Sequence, residues 1–339
     1  MTPPLVSILV VSYNQEDYIG QTLDCLLTQD CPFNYEILIG EDCSTDRTRD
    51  ICKEYAEKYP DKIRLFLNTQ NKGLINNYFD LMEKARGRYL ADCGGDDYWI
   101  APDKLSRQVA ILEQHPTVTM VGGNWQLLHQ KNGLIEPNQS GKTEDWFDPS
   151  RFGKQAVIDY LNKKNFPPVV LSTACFRADL LKGSMQAHPD LFRGKDVICE
   201  DLPITLCLLI KGPFYLMKDE LIVYRMLEKS VSHSDTLDGV LKGFSHQAFR
   251  QTMSLAKSLG ISSNGLKPYL GNVLPDFIYY AFIKKDRVWL SQLLNDLQEY
   301  HIKLPLKQQL MVLITHGKLV NQLLVYLNQF VRNNNSISK

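Results

Sequence analysis

The sequence predicts an α/β protein: a mostly parallel sheet with helices on both faces over residues 1–235, followed by an α-helical extension over 236–339. Three observations carry this expectation. Apolar runs of strand length alternate with segments of helical spacing, the rhythm of a doubly wound sheet. Each run ends in a polar loop, and right-handed crossovers collect such loops on one edge of a sheet. After about Asp235 the loops rich in glycine and acidic residues vanish, and apolar residues recur at helical spacing alone.

Taken in order, Leu5–Val11 is a β-rich apolar run that stops at Ser12-Tyr13-Asn14, the pattern of a buried strand. Tyr18, Ile19, Thr22, Leu23, Leu26 and Leu27 then fall on one side of a helix. Glu36–Gly40 is a second strand, followed by Glu41-Asp42-Cys43-Ser44-Thr45-Asp46. Ser44, Thr45 and Asp46 all suit the cap of a helix bearing Ile51, Tyr55 and Tyr59. Ile63–Leu67 is a third strand, and the polar loop Asn68–Gly73 leads into a helix carrying Leu74, Tyr78, Leu81, Met82 and Ala85.

Tyr89–Ala91 is a fourth strand. A helix with Leu105, Val109 and Leu112 leads to a strand at Val118–Gly122, and residues 130–170 read as loop-rich. Regular structure resumes at Phe176–Leu181 and Asp196–Ile210, where Glu200-Asp201 opens an apolar helix. Pro213–Tyr224 closes the region as a strand or hairpin. The extension shows two helical patterns, Val288, Leu290, Leu293, Leu294, Leu297 and then Leu319, Leu323, Leu324, Leu327. Its polar end, Asn333–Lys339, is expected to be disordered.

Formal net charge is zero, so nothing overall points to a nucleic-acid partner. An excess of about seven acidic charges over 1–235 is matched by about seven basic charges over 236–339. The basic tail reads as a domain-packing or dimer helix, with peripheral membrane contact as the alternative. The eight cysteines form no C-x-x-C pair and no zinc spacing, which suits reduced thiols in a reducing compartment. No basic-then-apolar leader is visible and no stretch reaches the roughly 18 apolar residues of a membrane span. A cytoplasmic protein is therefore expected.

The most informative stretch is Arg86–Trp99, where the fourth strand stops at the pair Gly94-Gly95 and presents the adjacent carboxylates Asp96 and Asp97. Strand ends of α/β sheets are where ligands bind. Carboxylates there suit a hard divalent cation, Mg or Mn, shared with substrate phosphates.

These segments, in this order, resemble the nucleotide-sugar-dependent glycosyltransferases of family 2, which have the GT-A fold. Val6–Asn14 is similar to the family's opening strand and its Tyr-Asn; Glu36–Asp46 to the second strand and its acidic-Ser-Thr-Asp turn. Gly87–Trp99 is similar to the D-x-D segment and Glu200-Asp201 to the late Glu-Asp pair. Tyr224-Arg225 through Ser230 and Ser232 is similar to the Tyr-Arg…Ser-x-Ser close.

The resemblance implies a nucleotide-sugar donor, with a UDP-sugar expected, and a glycan or glycolipid acceptor in bacterial surface polysaccharide or lipopolysaccharide assembly. It implies that Ser12, Tyr13, Asn14 and Glu16 border the base and ribose, and that Asp42 accepts a hydrogen bond from the base. Asp96 would hold the metal, with Asp97 beside it, and Asp201 would be the general base of an inverting displacement. Asn77 is placed near the nucleotide or on an exposed helix face; Arg225 pairs with the diphosphate or with a core carboxylate.

Two positions depart from the pattern. Gly94 stands where the family usually has an acid, with Asp92 a partial substitute, and Leu227 where it often has a histidine, with His233 nearby. They keep open an inactive nucleotide-sugar-binding module. A nucleotidyltransferase is a further alternative, but it calls for a Gly-rich basic phosphate loop, which is not visible.

Overall fold

The structure is a computed structural model that describes residues 3–138, 144–164, 166–227 and 236–315. The predicted Ser230, Ser232 and His233, the helical pattern Leu319–Leu327 and the end Asn333–Lys339 lie outside the described residues.

The chain forms two compact units, Met1–Thr236 and Leu237–Lys339. The first opens with β1 (Val6–Ser12), α1 (Ile19–Leu27), β2 (Tyr35–Glu41), α2 (Thr48–Lys58), β3 (Ile63–Leu67), α3 (Leu74–Lys84) and β4 (Tyr89–Asp92). There follow β5 (Tyr98–Trp99), α4 (Lys104–Gln114), β6 (Met120–His129), β7 (Leu134–Pro137), β8 (Trp146–Phe147) and α5 (Gly153–Leu161). The unit ends with β9 (Cys175–Arg177), α6 (Ala178–Ala187), α7 (Pro189–Arg193), α8 (Asp201–Lys211) and β10 (Phe214–Met226). The second unit holds a π-helical turn Gly239–Ser245, then α9 (His246–Ser258), α10 (Lys267–Lys284), α11 (Arg287–Glu299) and α12 (Leu306–Thr315).

The strands form one sheet in the order β3-β2-β1-β4-β9-β6-β10-β5, with β7 on β6 and β8 on β10. The first four are parallel, with Ser12 opposite Glu41, Glu41 opposite Leu67 and Leu9 opposite Asp92. Their C-terminal ends therefore share one edge. Beyond β4 the mostly parallel sheet takes in antiparallel strands: β9 runs antiparallel to both β4 and β6, and β5 is antiparallel to β10. Short strands such as β9 need no helical crossover, so they interleave against the parallel direction. Pro213–Tyr224 is one long strand rather than a hairpin, bulged near Glu220 and pairing with β5, β6 and β8.

Strand alternation sends Val6, Ile8, Val10, Ile37, Ile39, Tyr89, Ala91 and Cys93 into a core with Ile19, Leu23 and Leu26 of α1 and Leu105, Val109 and Leu112 of α4. Leu90 and Asp92 point to the other face. All eight cysteines are free thiols, and no helix among the described residues is long and apolar enough to cross a membrane. In the second unit Phe249, Phe277, Trp289 and Tyr300 pack edge to face around His246, whose ring lies between the Trp289 indole N–H and the Asp296 carboxylate.

Candidate active site

The loops after β1, β2 and β3 are sewn together at the shared sheet edge. Asn14 adopts a left-handed backbone (φ 53°); its N–H donates to Ser44 Oγ (3.0 Å) and its side-chain oxygen accepts from the Thr45 N–H (2.8 Å). The Gln15 N–H donates to Thr48 Oγ1 (2.7 Å), and Glu16 accepts from the Arg47 N–H (2.9 Å) while its own N–H reaches Asp46 (3.2 Å). The Asp46 carboxylate also receives the Thr48 N–H, but the N-cap position of α2 is held by Arg47, which makes no side-chain cap, so the expected cap at Ser44, Thr45 or Asp46 is corrected.

Asp42 is the hub of this rim. Its Oδ1 accepts from Asn68 Nδ2 (2.8 Å) and the Lys72 N–H (2.9 Å), and its Oδ2 from the Gly73 N–H (2.9 Å). Its own N–H donates to the Ser12 carbonyl. Asn77 joins the same network: Nδ2 donates to the Gly40 carbonyl (2.7 Å) and Oδ1 accepts from Asn68 (2.9 Å). The reading of Asn77 as an exposed helix residue is corrected, since it is buried. Tyr13 is exposed at the rim, and Ser12 Oγ is enclosed with no partner among the described residues.

The acidic loop sits on a platform of polar side chains. Thr22 of α1 donates to the Asp97 carbonyl (2.6 Å). A Cβ on Gly95 would crowd Gln15 Oε1 and the Val11 carbonyl, so glycine allows the close approach of backbone here. Adjacent carboxylates have different occupations here. Asp97 is buried, with Oδ1 accepting the Arg225 N–H (3.0 Å) and Oδ2 the Ser172 hydroxyl (3.2 Å). Asp96 is half-buried, and burial raises its carboxyl while Arg225 and a Gln15 hydrogen bond oppose the shift.

The Arg225 guanidinium lies between the Tyr18 and Tyr98 rings, 5.0 and 4.8 Å from their centroids. It donates to the Asp96 carbonyl and to Gln21, and its charge acts on the Asp96 and Asp97 carboxyls. Lys104 is wholly buried over Trp99 (3.7 Å), held by Gln108, with its amine lowered to about 8 by burial.

A third group lies on the opposite face of β4. Asp92 faces Tyr78 of α3 and the Glu200-Asp201 pair that opens α8. The groups acting on Asp92 are Tyr78, Asp201 and Lys104 rather than Asp96 or Asp97. Asp201 is exposed as a residue, but burial of its carboxyl pushes it up to about 6. Among the described residues no three Asp, Glu, His or Cys gather closely enough to hold a metal by themselves.

Residues 7–166 match the profile of the family described as Glycosyl transferase family 2. The chain carries a family 2 glycosyltransferase domain. It is 40% identical over 109 residues to the putative teichuronic acid biosynthesis glycosyltransferase TuaG of Bacillus subtilis, covering 32% of this chain and 42% of that protein. It is 30% identical over 128 residues to the Escherichia coli UDP-Glc:alpha-D-GlcNAc-diphosphoundecaprenol beta-1,3-glucosyltransferase WfgD, covering 38% and 48%.

The chain spans less than half the length of the curated relatives it matches with the highest significance. Staphylococcus aureus TarS 1–349, solved with UDP-GlcNAc, superposes with a TM-score of 0.60 over 92% of this chain and 87% of that one, at 17% identity. This likeness shows the fold, which is GT-A.

In the family 2 glycosyltransferase domain, the structure brings Ser12, Asn14, Glu16, Asp42 and Asn77 into one hydrogen-bonded rim, with Asp96 tied to it through Gln15. Asp97 and Arg225 lie beneath the acidic loop rather than on its open side. Sequence reading missed Gln15, Thr22, Ser172 and Lys104 as supports of that loop. Lys104 carried a usable signal, a lone cation inside an apolar helical face. Ser172 carried none.

Proposed function

We propose that the domain transfers a sugar from a UDP-sugar to a hydroxyl acceptor by single displacement, with inversion at the anomeric carbon. What carries the reading is the convergence of four strand-end loops into one polar rim, with a carboxyl of raised pKa, Asp201, opposite the end of β4. The names of TuaG and WfgD support a setting in bacterial surface polysaccharide assembly, with a lipid-linked glycan as acceptor.

A carboxylate has roughly four lone-pair sites, and Asp42 spends three on its own loops. The fourth is assigned to a base N–H. Tyr13, exposed at the rim, stacks on the base, and the enclosed Ser12 hydroxyl, Asn14 and Glu16 border the ribose. Asp201 takes the proton of the acceptor hydroxyl, a contribution of about 10²–10⁴-fold, as the acceptor oxygen forms its bond to the anomeric carbon and the diphosphate leaves with the electron pair.

The residues present fit a Mg or Mn ion only in part. Asp96, hydrogen-bonded to Gln15, is the carboxylate of the loop assigned to the cation, and hard oxygen ligands must otherwise come from the diphosphate and water. A cation bound there would supply Lewis-acid stabilisation of the leaving diphosphate. Arg225 and Lys104 hold and electrostatically back the loop. Asp97, expected as a metal ligand, has both oxygens engaged within the protein and is assigned the fold of the loop.

The test is a thermal-shift panel of nucleotide sugars, followed by hydrolysis assays with and without manganese for wild type, Asp96→Ala and Asp201→Asn. UDP-sugars are expected to raise the melting temperature, and both variants to lose turnover while retaining UDP binding. Stabilisation by UDP-sugars with no turnover under any condition would favour an inactive binding module, the reading that Gly94 keeps open.

A further inference from the structure

We propose that the outer face of α12 and the adjoining corner between α10 and α11 form a surface that docks on a bilayer carrying anionic phospholipids. The surface lies wholly within the second unit, apart from every residue assigned to the sugar-transfer step, and it goes beyond that reading.

The first observation is an apolar stripe turned to solvent. Leu306, Leu310, Leu313 and Ile314 stand at i, i+4, i+7 and i+8 of α12, the spacing that a globular helix normally turns inward. Here Leu306 is 72% exposed and the other three are 40–44% exposed. Thr315 of the same helix is buried, and its carbonyl accepts a hydrogen bond from Arg287 Nε (3.1 Å). That bond sets the end of α12 against the α10–α11 corner, where Ile283 and Val288 are 55% and 73% exposed. Single exposed aliphatic side chains are ordinary; several gathered on joined elements mark an interaction surface.

The second observation is charge. Lys284, Lys285 and Arg287 at the corner, and Lys303 and Lys307 at the start of α12, are all exposed. Asp286, the carboxylate among them, is already engaged: it pairs with Lys242 Nζ (2.6 Å) and accepts from the Trp289 N–H (3.0 Å). Asp276, two turns before Ile283 on α10, is an exposed acid on this side. From Tyr300 to the end of the chain there are five Lys and Arg and no Asp or Glu.

Charge selects the occupant. An isologous dimer would set this patch against its own copy, bringing five cations onto five. A bilayer with anionic headgroups supplies the opposite sign, with an apolar layer directly beneath. Aliphatic side chains enter the headgroup–acyl boundary while Lys and Arg meet the headgroups, the binding mode of an interfacial helix. A sugar acceptor carried on a lipid is confined to such a surface, so docking there concentrates enzyme and acceptor in one plane.

The experiment is co-sedimentation of the full chain with vesicles of phosphatidylcholine alone, or mixed with phosphatidylglycerol, across a salt series. Wild type is expected to pellet with the mixed vesicles, to release as salt rises, and to stay in solution with phosphatidylcholine alone. Lys303→Gln/Lys307→Gln should weaken partitioning on the order of tenfold, since each Lys near an anionic surface strengthens binding about fivefold. Leu306→Ser/Leu310→Ser should weaken it comparably. These side chains are exposed, so melting temperatures should stay near wild type. Lys284→Gln/Lys285→Gln, outside α12, decides the matter if the other variants do not fold.

Absence of wild type from the pellet, equal binding to phosphatidylcholine alone, or binding that the variants leave intact would each overturn the proposal. A dimer in light scattering that Leu306→Ser/Leu310→Ser abolishes, with no vesicle binding, would give the face to a second copy instead. Donor hydrolysis without vesicles should be unchanged in these variants. A chain that binds vesicles but turns over no sugar loses the transfer reading and keeps this one; turnover without vesicle binding removes this one alone.

Discussion

The polar rim and the carboxyls beside α8 both use acidic side chains at element ends, on opposite principles. At the rim, Asp42, Asn14 and Glu16 find their donors within the protein, largely backbone N–H groups of neighbouring loops. Side chains bonded in this way fix loop geometry before any ligand arrives. Beside α8, Asp92, Glu200 and Tyr78 keep enclosed oxygens with no hydrogen-bond partner among the described residues, and burial raises the carboxyls. One region is arranged for shape, the other for proton affinity. The same residue type therefore reports different work depending on who donates to it.

The largest effect that would break this contrast is on turnover. Asp201→Asn is expected to lower kcat by about 10²–10⁴-fold with UDP affinity and melting temperature close to wild type; the measurement is hydrolysis beside calorimetric binding. Asp42→Ala should do the reverse. It strips the acceptors from the Lys72 and Gly73 N–H groups and from Asn68, so donor binding weakens and stability falls by about 1–3 kcal/mol, read by denaturant unfolding.

Within the acidic loop the adjacent pair should divide in the same way. Asp97→Ala leaves the Arg225 N–H and the Ser172 hydroxyl without acceptors in a buried setting, at a cost of about 2 kcal/mol. Asp96→Ala should lower activity with much less effect on unfolding.

The pH dependence of stability is the next step down. A carboxyl raised from 3.8 to about 7 by folding, as Asp92 is, binds its proton more tightly in the native state than in the unfolded one. Its contribution is fully present below about pH 4 and is lost as pH rises through 7. The rim carboxylate Asp46 is held below the usual range by its hydrogen bonds, so its contribution is present above pH 4 and lost as pH falls further. Unfolding of wild type should therefore become easier between pH 5 and 8, by up to a few kcal/mol at about 1.4 kcal/mol per unit.

Much of the rim was legible in the sequence, because parallel strands and right-handed crossovers place post-strand loops together whatever their composition. Local pattern sufficed for β1 to β4, and for the helix opening at Asp201. It failed where partners lie far apart in the chain. Ser172 meets Asp97 across 75 residues and Arg225 meets it across 128, and neither pairing leaves a periodic trace. The antiparallel insertion of β9 between β4 and β6 was equally invisible, since three residues carry too little alternation to assign a direction. Asp92 was readable as an acid on a strand, but its face follows only from the register of β4 against β1.

The smallest predicted effect concerns the rim's own exception. Ser12 is enclosed, and its hydroxyl has no partner among the described residues, although its neighbours are fully engaged. If that hydroxyl served the fold, Ser12→Ala would cost stability; removing an unsatisfied buried hydroxyl should instead be neutral or slightly stabilising. If it waits for a ribose hydroxyl or base edge, the same change should weaken UDP binding by the worth of one neutral hydrogen bond, about 1 kcal/mol or roughly fivefold. Thermal unfolding and UDP titration on Ser12→Ala separate the two. An unchanged melting temperature with weaker UDP binding would make the Ser12 hydroxyl a ligand contact; a lowered melting temperature with intact binding would return it to the core.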